Sequence, residues 1–183
     1  MTGTEPSLVD KILGVHAALN RAGVGHAFGG ALALAYYTHE PRATADINVN
    51  VELVSGDARA ALSALPIGVA WADSDIASIE QNDQVRLWWG RTPIDLFFRA
   101  SSFHDDVARR TNFLPFADSE LPFLSANDLA VFKSLFDRPK DWLDIAAMAE
   151  SGALGPAATS TLESLIGVDD RVERLRQVIA AGG

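Results

Sequence analysis

The glycine pair Gly29-Gly30 constrains this chain more than any other short stretch. It follows Val24-Gly25-His26-Ala27-Phe28, which reads as a short strand. It opens Ala31-Leu32-Ala33-Leu34-Ala35-Tyr36-Tyr37, which reads as an apolar helix running to His39 and closed by Pro41. Two glycines in succession let the backbone turn sharply between elements and leave no Cβ in the way of a close neighbour. A polar loop, Arg42-Ala43-Thr44, then leads into a second strand, Ala45 to Glu52. Side chains two apart on a strand share a face. Asp46 and Asn48 therefore project together, while Ile47 and Val49 turn to a core.

Around this pair of elements the chain reads as alternating helices and strands. Ser7 to Arg21 carries Leu8, Ile12, Val15 and Leu19 near helical spacing, with Ser7 as N-cap and Gly23 as stop. Asp57 to Leu65 predicts a helix closed by Pro66, and Ile67–Trp71 and Ile76–Glu80 are expected as strands. Gln84 to Trp89 alternates, with Val85, Leu87 and Trp89 on one side and Arg86 and Trp88 on the other. The turn Gly90-Arg91-Thr92 joins it to the strand Pro93–Phe98 as a hairpin. A short helix, Phe103–Arg110, precedes two expected edge strands, Thr111–Ala117 and Glu120–Leu124.

The texture then turns helical. Ser125 and Asp128 form a capping-box pattern ahead of Leu129, Phe132 and Phe136. Pro139 suits the first position of the next helix, which Ser151-Gly152 ends, and two more helices follow around Gly155-Pro156, Gly167 and Asp169–Ala180. The expected fold class is α/β (α+β): a mixed sheet flanked by helices, then a C-terminal helical bundle. The expected division is a core over residues 1–124 and a helical region over 125–183 packed on it.

The candidate chemistry sits on these elements. A glycine turn at a helix start presents backbone N–H groups to a phosphate, so Gly29 and Gly30 read as a nucleotide cradle. Asp95 lies between Ile94 and Leu96 in an apolar strand, where a charge is costly unless paired or metal-bound. A salt bridge to Arg86 is the plainer reading; a metal is the other. Asp46, Asn48 and Asp95 together supply the oxygens that magnesium needs when waters and substrate phosphates fill its remaining places. Arg42 and Thr44 are loop residues suited to phosphate oxygens. Lys133 reads by itself as an ordinary helix lysine, and Asp141 and Asp144, at i and i+3, as a charged helix start.

Composition removes several classes of function. The chain has 183 residues and no cysteine, so thiolate nucleophiles and cysteine-ligated zinc are excluded. His16, His26, His39 and His104 have no metal-ligand spacing, and there is no Gly-x-Ser-x-Gly or Walker-type loop. No apolar run approaches a membrane span, Met1–Pro6 does not read as a signal peptide, and a cytoplasmic protein without membrane partners is expected. A net charge of −9 is awkward for a nucleic-acid partner and suits a basic protein partner. Local basic patches are available at Arg109-Arg110, Lys133, Arg138-Lys140 and, as a solvated face, Arg171, Arg174 and Arg176.

The succession Gly-Gly, helix, Arg42-x-Thr44-x-Asp46-Ile47, then Lys133 and Lys140-Asp141-x-x-Asp144-Ile145, resembles the nucleotidyltransferase-fold toxins of the AbiEii/MenT-like family, over roughly residues 25–146. The resemblance implies a magnesium-dependent enzyme, with manganese as a substitute, that moves a nucleotide from an NTP to the 3′ end of tRNA. CTP or UTP is the expected donor. The biological role implied is a growth-inhibiting toxin held by a cognate antitoxin protein. It gives Asp46, Asp95, Lys133 and Asp144 catalytic places. It gives Gly29, Gly30, Arg42, Thr44, Lys133, Lys140 and Asp141 nucleotide-binding places, and Asp46, Asn48 and Asp95 the metal. Thr44 matches a position of regulatory phosphorylation. The family shows Asp-x-Asp where this chain has Asp46-x-Asn48, and an amide ligates without charge. Two other readings therefore stand beside it: a small-molecule, antibiotic-type nucleotidyltransferase, and a nucleotide-binding module that has lost catalysis.

Overall fold

The structure, a computed structural model, describes residues 5–40 and 44–183. It divides into two compact units, Met1–Gly29 with Thr44–Phe123, and Gly30–Ala43 with Leu124–Gly183. The sequence places the helix after the glycine pair with the core; the structure groups it with the C-terminal helices.

The first unit is built on one seven-stranded sheet. Its strands are β1 (His26–Phe28), β2 (Ile47–Val54), β3 (Val69–Ala70), β4 (Gln84–Trp89), β5 (Thr92–Arg99), β6 (Asn112–Phe116) and β7 (Ser119–Phe123). Their order is β3-β4-β5-β2-β1-β7-β6. β2 runs parallel to β5 and β1 parallel to β7; the other neighbours are antiparallel. The mixture follows from the connections. Tight turns make β4–β5 and β6–β7 hairpins, whereas β2 and β5 are separated by two helices and the β3–β4 ribbon. Ile47, Val49, Val51, Ile94, Leu96, Phe98 and Leu87 are buried, and the residues between them are half-buried or exposed. One face of the central strands is therefore core, and the opposite face carries Asn48, Asp95, Arg86 and Trp88.

Helices α1 (Leu8–Arg21), α3 (Ala58–Ala64), α4 (Asp73–Asn82) and α5 (Ser102–Arg109) belong to this unit. Ser7 caps α1 in a reciprocal box with Asp10, as its sequence position indicates. Lys11 is almost fully buried, and its Nζ donates to Glu5 Oε1 (2.7 Å), Trp89 O (2.9 Å) and Thr92 Oγ1 (3.0 Å), which ties α1 to the β4–β5 turn. Two strand assignments change. Ile76–Glu80, expected as a strand, lies within α4: the Asp75 carboxylate accepts from the Ala72 N–H (2.8 Å), acids fill the first turn, and Ile79 is buried one helical turn from Ile76. Glu120–Leu124, expected at an edge, yields β7, which is paired on both sides by β1 and β6.

The second unit is helical: α2 (Gly30–Thr38), α6 (Ala126–Phe136), α7 (Pro139–Glu150), α8 (Pro156–Ile166) and α9 (Asp170–Gly182). The Tyr37 hydroxyl donates to Leu124 O, and Ser151 Oγ donates to Tyr37 O, both at 2.6 Å. Those bonds explain why α2 goes with α6 and α7. Gly182 admits no side chain, because a Cβ there meets the Ala149 backbone at 2.5 Å where α9 approaches α7. Among the described residues no helix is long and apolar enough to cross a membrane.

A histidine pair, invisible in the spacing, links α1 to β1. His26 Nδ1 lies 3.0 Å from the Val24 carbonyl, which only accepts, so Nδ1 carries the proton. His26 Nε2 then accepts from His16 Nδ1 (3.0 Å), and His16 Nε2 faces the Asn20 amide (3.0 Å). The chain of bonds is complete with both rings neutral. Burial pushes both imidazoles below their ordinary value; for His26 the Val24 bond opposes this and the His16 charge adds to it. A lowered pKa means that the unfolded state takes up the proton first, so stability is complete above about pH 6.5 and declines as pH falls below it. Thermal unfolding at pH 7.5 and 5.5 should show a lower Tm at the acidic value, and His26→Phe should flatten that difference.

Candidate active site

The β2–β5 register sets the geometry. Ile47 pairs with Ile94, Asn48 with Asp95 and Val49 with Leu96, so the two apolar neighbours of Asp95 sit on the core face beside the two apolar neighbours of Asn48. Asn48 and Asp95 are thereby adjacent on the other face. Asp46, immediately before β2, has the same parity as Asn48 and is likewise half-buried. The three oxygen-bearing side chains expected to act together share one side of one sheet.

Each has partners. Thr44 Oγ1 donates to Asp46 Oδ1 at 2.5 Å, and the Asp46 N–H reaches back to the Thr44 hydroxyl at 3.4 Å. Thr44 thus orients the Asp46 carboxylate, a role that its two-residue spacing permits but does not announce. Arg86, directly opposite Asp95 on β4, grips it in a fork: Nε to Oδ1 and Nη2 to Oδ2, both 2.7 Å. The Asp95 carboxylate is 14% exposed and the arginine side chain 55%. Its bonds to Asp95 come first, and the charge of Asp46 adds to them, in raising the Arg86 guanidinium above its ordinary value. The plainer reading of Asp95 is therefore realised in this structure, on the same face as Asp46 and Asn48.

The glycines behave unequally. The Gly29 N–H donates to Asn48 O (3.0 Å), so the sheet takes up one donor of the expected cradle. Gly30 begins α2 with φ +58°, a conformation that a side chain would strain. Arg42 lies outside the described residues.

In the second unit, Lys133, Asp141 and Asp144 form a buried cluster across α6 and α7. Lys133 Nζ donates to Asp144 Oδ2 at 2.6 Å and stands 3.6 Å from Asp141 Oδ1. Arg138 Nε donates to Asp141 Oδ2 (2.6 Å) and its Nη2 to Oδ1 (3.1 Å). Asp141 is fully buried; burial raises its carboxyl, and the Arg138 bonds and the Lys133 charge outweigh that and hold it below the usual carboxylate range. The cluster uses three residues that the resemblance names, and it directs them at one another. Lys140, the fourth, is exposed.

The Asp46, Asn48 and Asp95 set fits a hard divalent ion that arrives with substrate, since all donors are oxygens and two are carboxylates. Among the described residues no three His, Cys, Asp or Glu side chains gather as a metal cage. An ion held by Asp46, Asn48 and Asp95 would need its remaining places filled by phosphates and water.

No family model and no curated protein matches this sequence. Solved structures do. The solution structure of the antibiotic-resistance factor ANT(2″)-Ia matches with a TM-score of 0.53 at 14% identity, covering 97% of this chain and 92% of that one. ANT(2″)-Ia in complex with adenylyl-2″-tobramycin matches with a TM-score of 0.50 at 15% identity, over 94% and 97%. An antigenic nucleotidyltransferase-like protein from Paracoccidioides brasiliensis is more distant, with a TM-score of 0.45 at 15% identity over 93% and 92%. The chain has the nucleotidyltransferase fold, as its sheet and helices were expected to give.

Removing the lysine from the buried cluster should show what it holds together. Lys133→Met takes a partner from Asp144 and a charge from beside Asp141, and should cost about 3 kcal/mol in urea unfolding. Adding Asp144→Leu to that variant should restore part of the loss.

Proposed function

We propose that this chain is a magnesium-dependent nucleotidyltransferase, moving a nucleotidyl group from an NTP to an acceptor hydroxyl and releasing pyrophosphate. The observation that carries the reading is the shared sheet face of Asp46, Asn48 and Asp95, two carboxylates and an amide set in register by β2 and β5. Magnesium, or manganese in its place, would neutralise charge that builds on the phosphates as the acceptor oxygen attacks the α-phosphorus and the bond to pyrophosphate breaks. Asp46, whose carboxylate accepts from Thr44, and Asp95 would be the residues that hold that ion. Asp95 also accepts the proton of the acceptor hydroxyl. Gly30 and Arg42 are the candidate phosphate-binding residues that the sequence pattern offers, and Lys133, Lys140, Asp141 and Asp144 the candidate nucleotide-binding ones.

The acceptor we propose first is the 3′ end of tRNA, with CTP or UTP as donor and a growth-inhibiting role that a cognate antitoxin controls. The support is Arg42-x-Thr44-x-Asp46 with Lys133 and Lys140-Asp141-x-x-Asp144 in order. Phosphorylation at Thr44 would remove the donor that holds Asp46 and set negative charge against it, which is a means of silencing the site. A second reading, a small cationic acceptor such as an aminoglycoside, is favoured by the net charge of −9 and by the fold likeness to ANT(2″)-Ia.

Labelled NTPs incubated with total tRNA or with aminoglycosides separate the acceptors. With either, Asp46→Ala should lower transfer about a hundredfold or more and leave the Tm almost unchanged, because Asp46 is half-buried and outside the core. Retained transfer in Asp46→Ala would refute the assignment. Nucleotide binding with no transfer in magnesium or manganese would establish a catalytically degenerate module, consistent with Asn48 in the second acidic place.

A further inference from the structure

The Arg86–Asp95 fork is more than a strand fastener. β4 and β5 are already paired along six successive positions from Gln84↔Phe97 to Trp89↔Thr92, so the hairpin does not need a half-exposed ion pair to stay closed. Such pairs contribute little to stability. The fork instead falls where Asp95 pairs with Asn48 across β5 and β2, and where the charge of Asp46, two residues before Asn48, also reaches the guanidinium. Two carboxylates on one sheet face, Asp46 and Asp95, repel without a cation near them; Arg86 supplies that positive charge from within the chain. The two ends of the pair also differ in freedom. Asp95 is set in a strand between buried Ile94 and Leu96, whereas Arg86 extends from the exposed face of β4, beside Trp88.

We propose that Arg86 is a resident counter-ion of the carboxylate pair, occupying the cation position in the free protein and leaving Asp95 when a divalent ion enters with nucleotide. This rests on the nucleotidyltransferase reading above. The freed guanidinium then turns its fork to the nucleotide's phosphate, for which its planar donors are suited. One charge is thus used twice: it balances Asp95 in the free protein, and it holds the substrate once the metal has taken its place. The arrangement also accounts for Asn48. With only two carboxylates in the set, one arginine balances half of the charge, and a metal alone competes poorly against it; a metal carried by a nucleoside triphosphate brings Arg86 a new partner in exchange.

Manganese is the probe, followed by the paramagnetic resonance of the free ion as it is titrated into the whole chain, with and without a non-hydrolysable NTP analogue. Arg86→Gln should bind manganese alone about tenfold more tightly than the unaltered chain, and the manganese–analogue pair more weakly. Adding Asp95→Asn should abolish the gain. Equal manganese affinity in Arg86→Gln and the unaltered chain overturns the counter-ion role, while the nucleotidyltransferase reading survives if the unaltered chain binds manganese with the analogue. Failure of both proteins to bind manganese under either condition overturns both. A measurement on the unaltered chain avoids dependence on the variant's folding: the Arg86 Nε–H resonance, assigned by its loss in Arg86→Lys, should shift when magnesium and the analogue are added. A resonance unmoved at saturation overturns the displacement.

Discussion

The parallel pairing of β2 with β5 is the constraint on which the first unit depends. It aligns two apolar–polar–apolar triplets, Ile47-Asn48-Val49 and Ile94-Asp95-Leu96, so that the outer members of both bury against one core and the middle members meet on the opposite face. A slip of one residue would send Asp95 of β5 or Asn48 of β2 into the core and an isoleucine to the surface, a change that hydrophobic burial and polar desolvation both oppose. The same forces that secure the sheet therefore secure the neighbourhood of Asn48 and Asp95. Asp46 joins them because it shares Asn48's parity at the entry to β2, and Thr44 then settles its orientation.

Charge is handled differently in the two units. On the sheet, Asp95 is matched by an arginine that remains half in water. In the helical unit, Lys133 is shut in with Asp141 and Asp144, and Arg138 closes the outer side of Asp141. Removing one member of a buried set strands the others in low dielectric, so these residues hold α6 to α7 as well as any role in binding. The contrast is between a half-exposed cation at a surface face and a buried one inside a helical pair. The His16–His26 chain is a third solution, in which a buried and a half-buried imidazole hydrogen-bond in series with both rings neutral.

Much of the architecture was legible because it rests on local signals. The β4–β5 hairpin follows from the alternation up to Gly90, the α1 cap from Ser7, and α7 from Pro139 at its start. Where reading failed, a tertiary partner decided. Ile76–Glu80 is expected as a strand, yet the cap at Ala72 and burial of Ile79 make it part of helix α4. β7 looks like an edge until β1 is found on its other side. Nothing in Gly30–Thr38 says that Tyr37 will bond to Leu124 and accept from Ser151, partners 87 and 114 residues away.

By itself the sequence determined which residues share a face: Asp46 with Asn48 by strand parity, and Asp141 with Asp144 by helical spacing. It also set which faces must be buried, since that depends only on period and polarity. Tertiary structure decided which faces meet. Whether Asp95 lies beside Asn48, whether Arg86 or another cation answers it, and whether Lys133 points at water or at two carboxylates all depend on strand register and helix pairing between distant segments. Those contacts are chosen by the burial of the whole core, and no window of neighbouring residues contains the information.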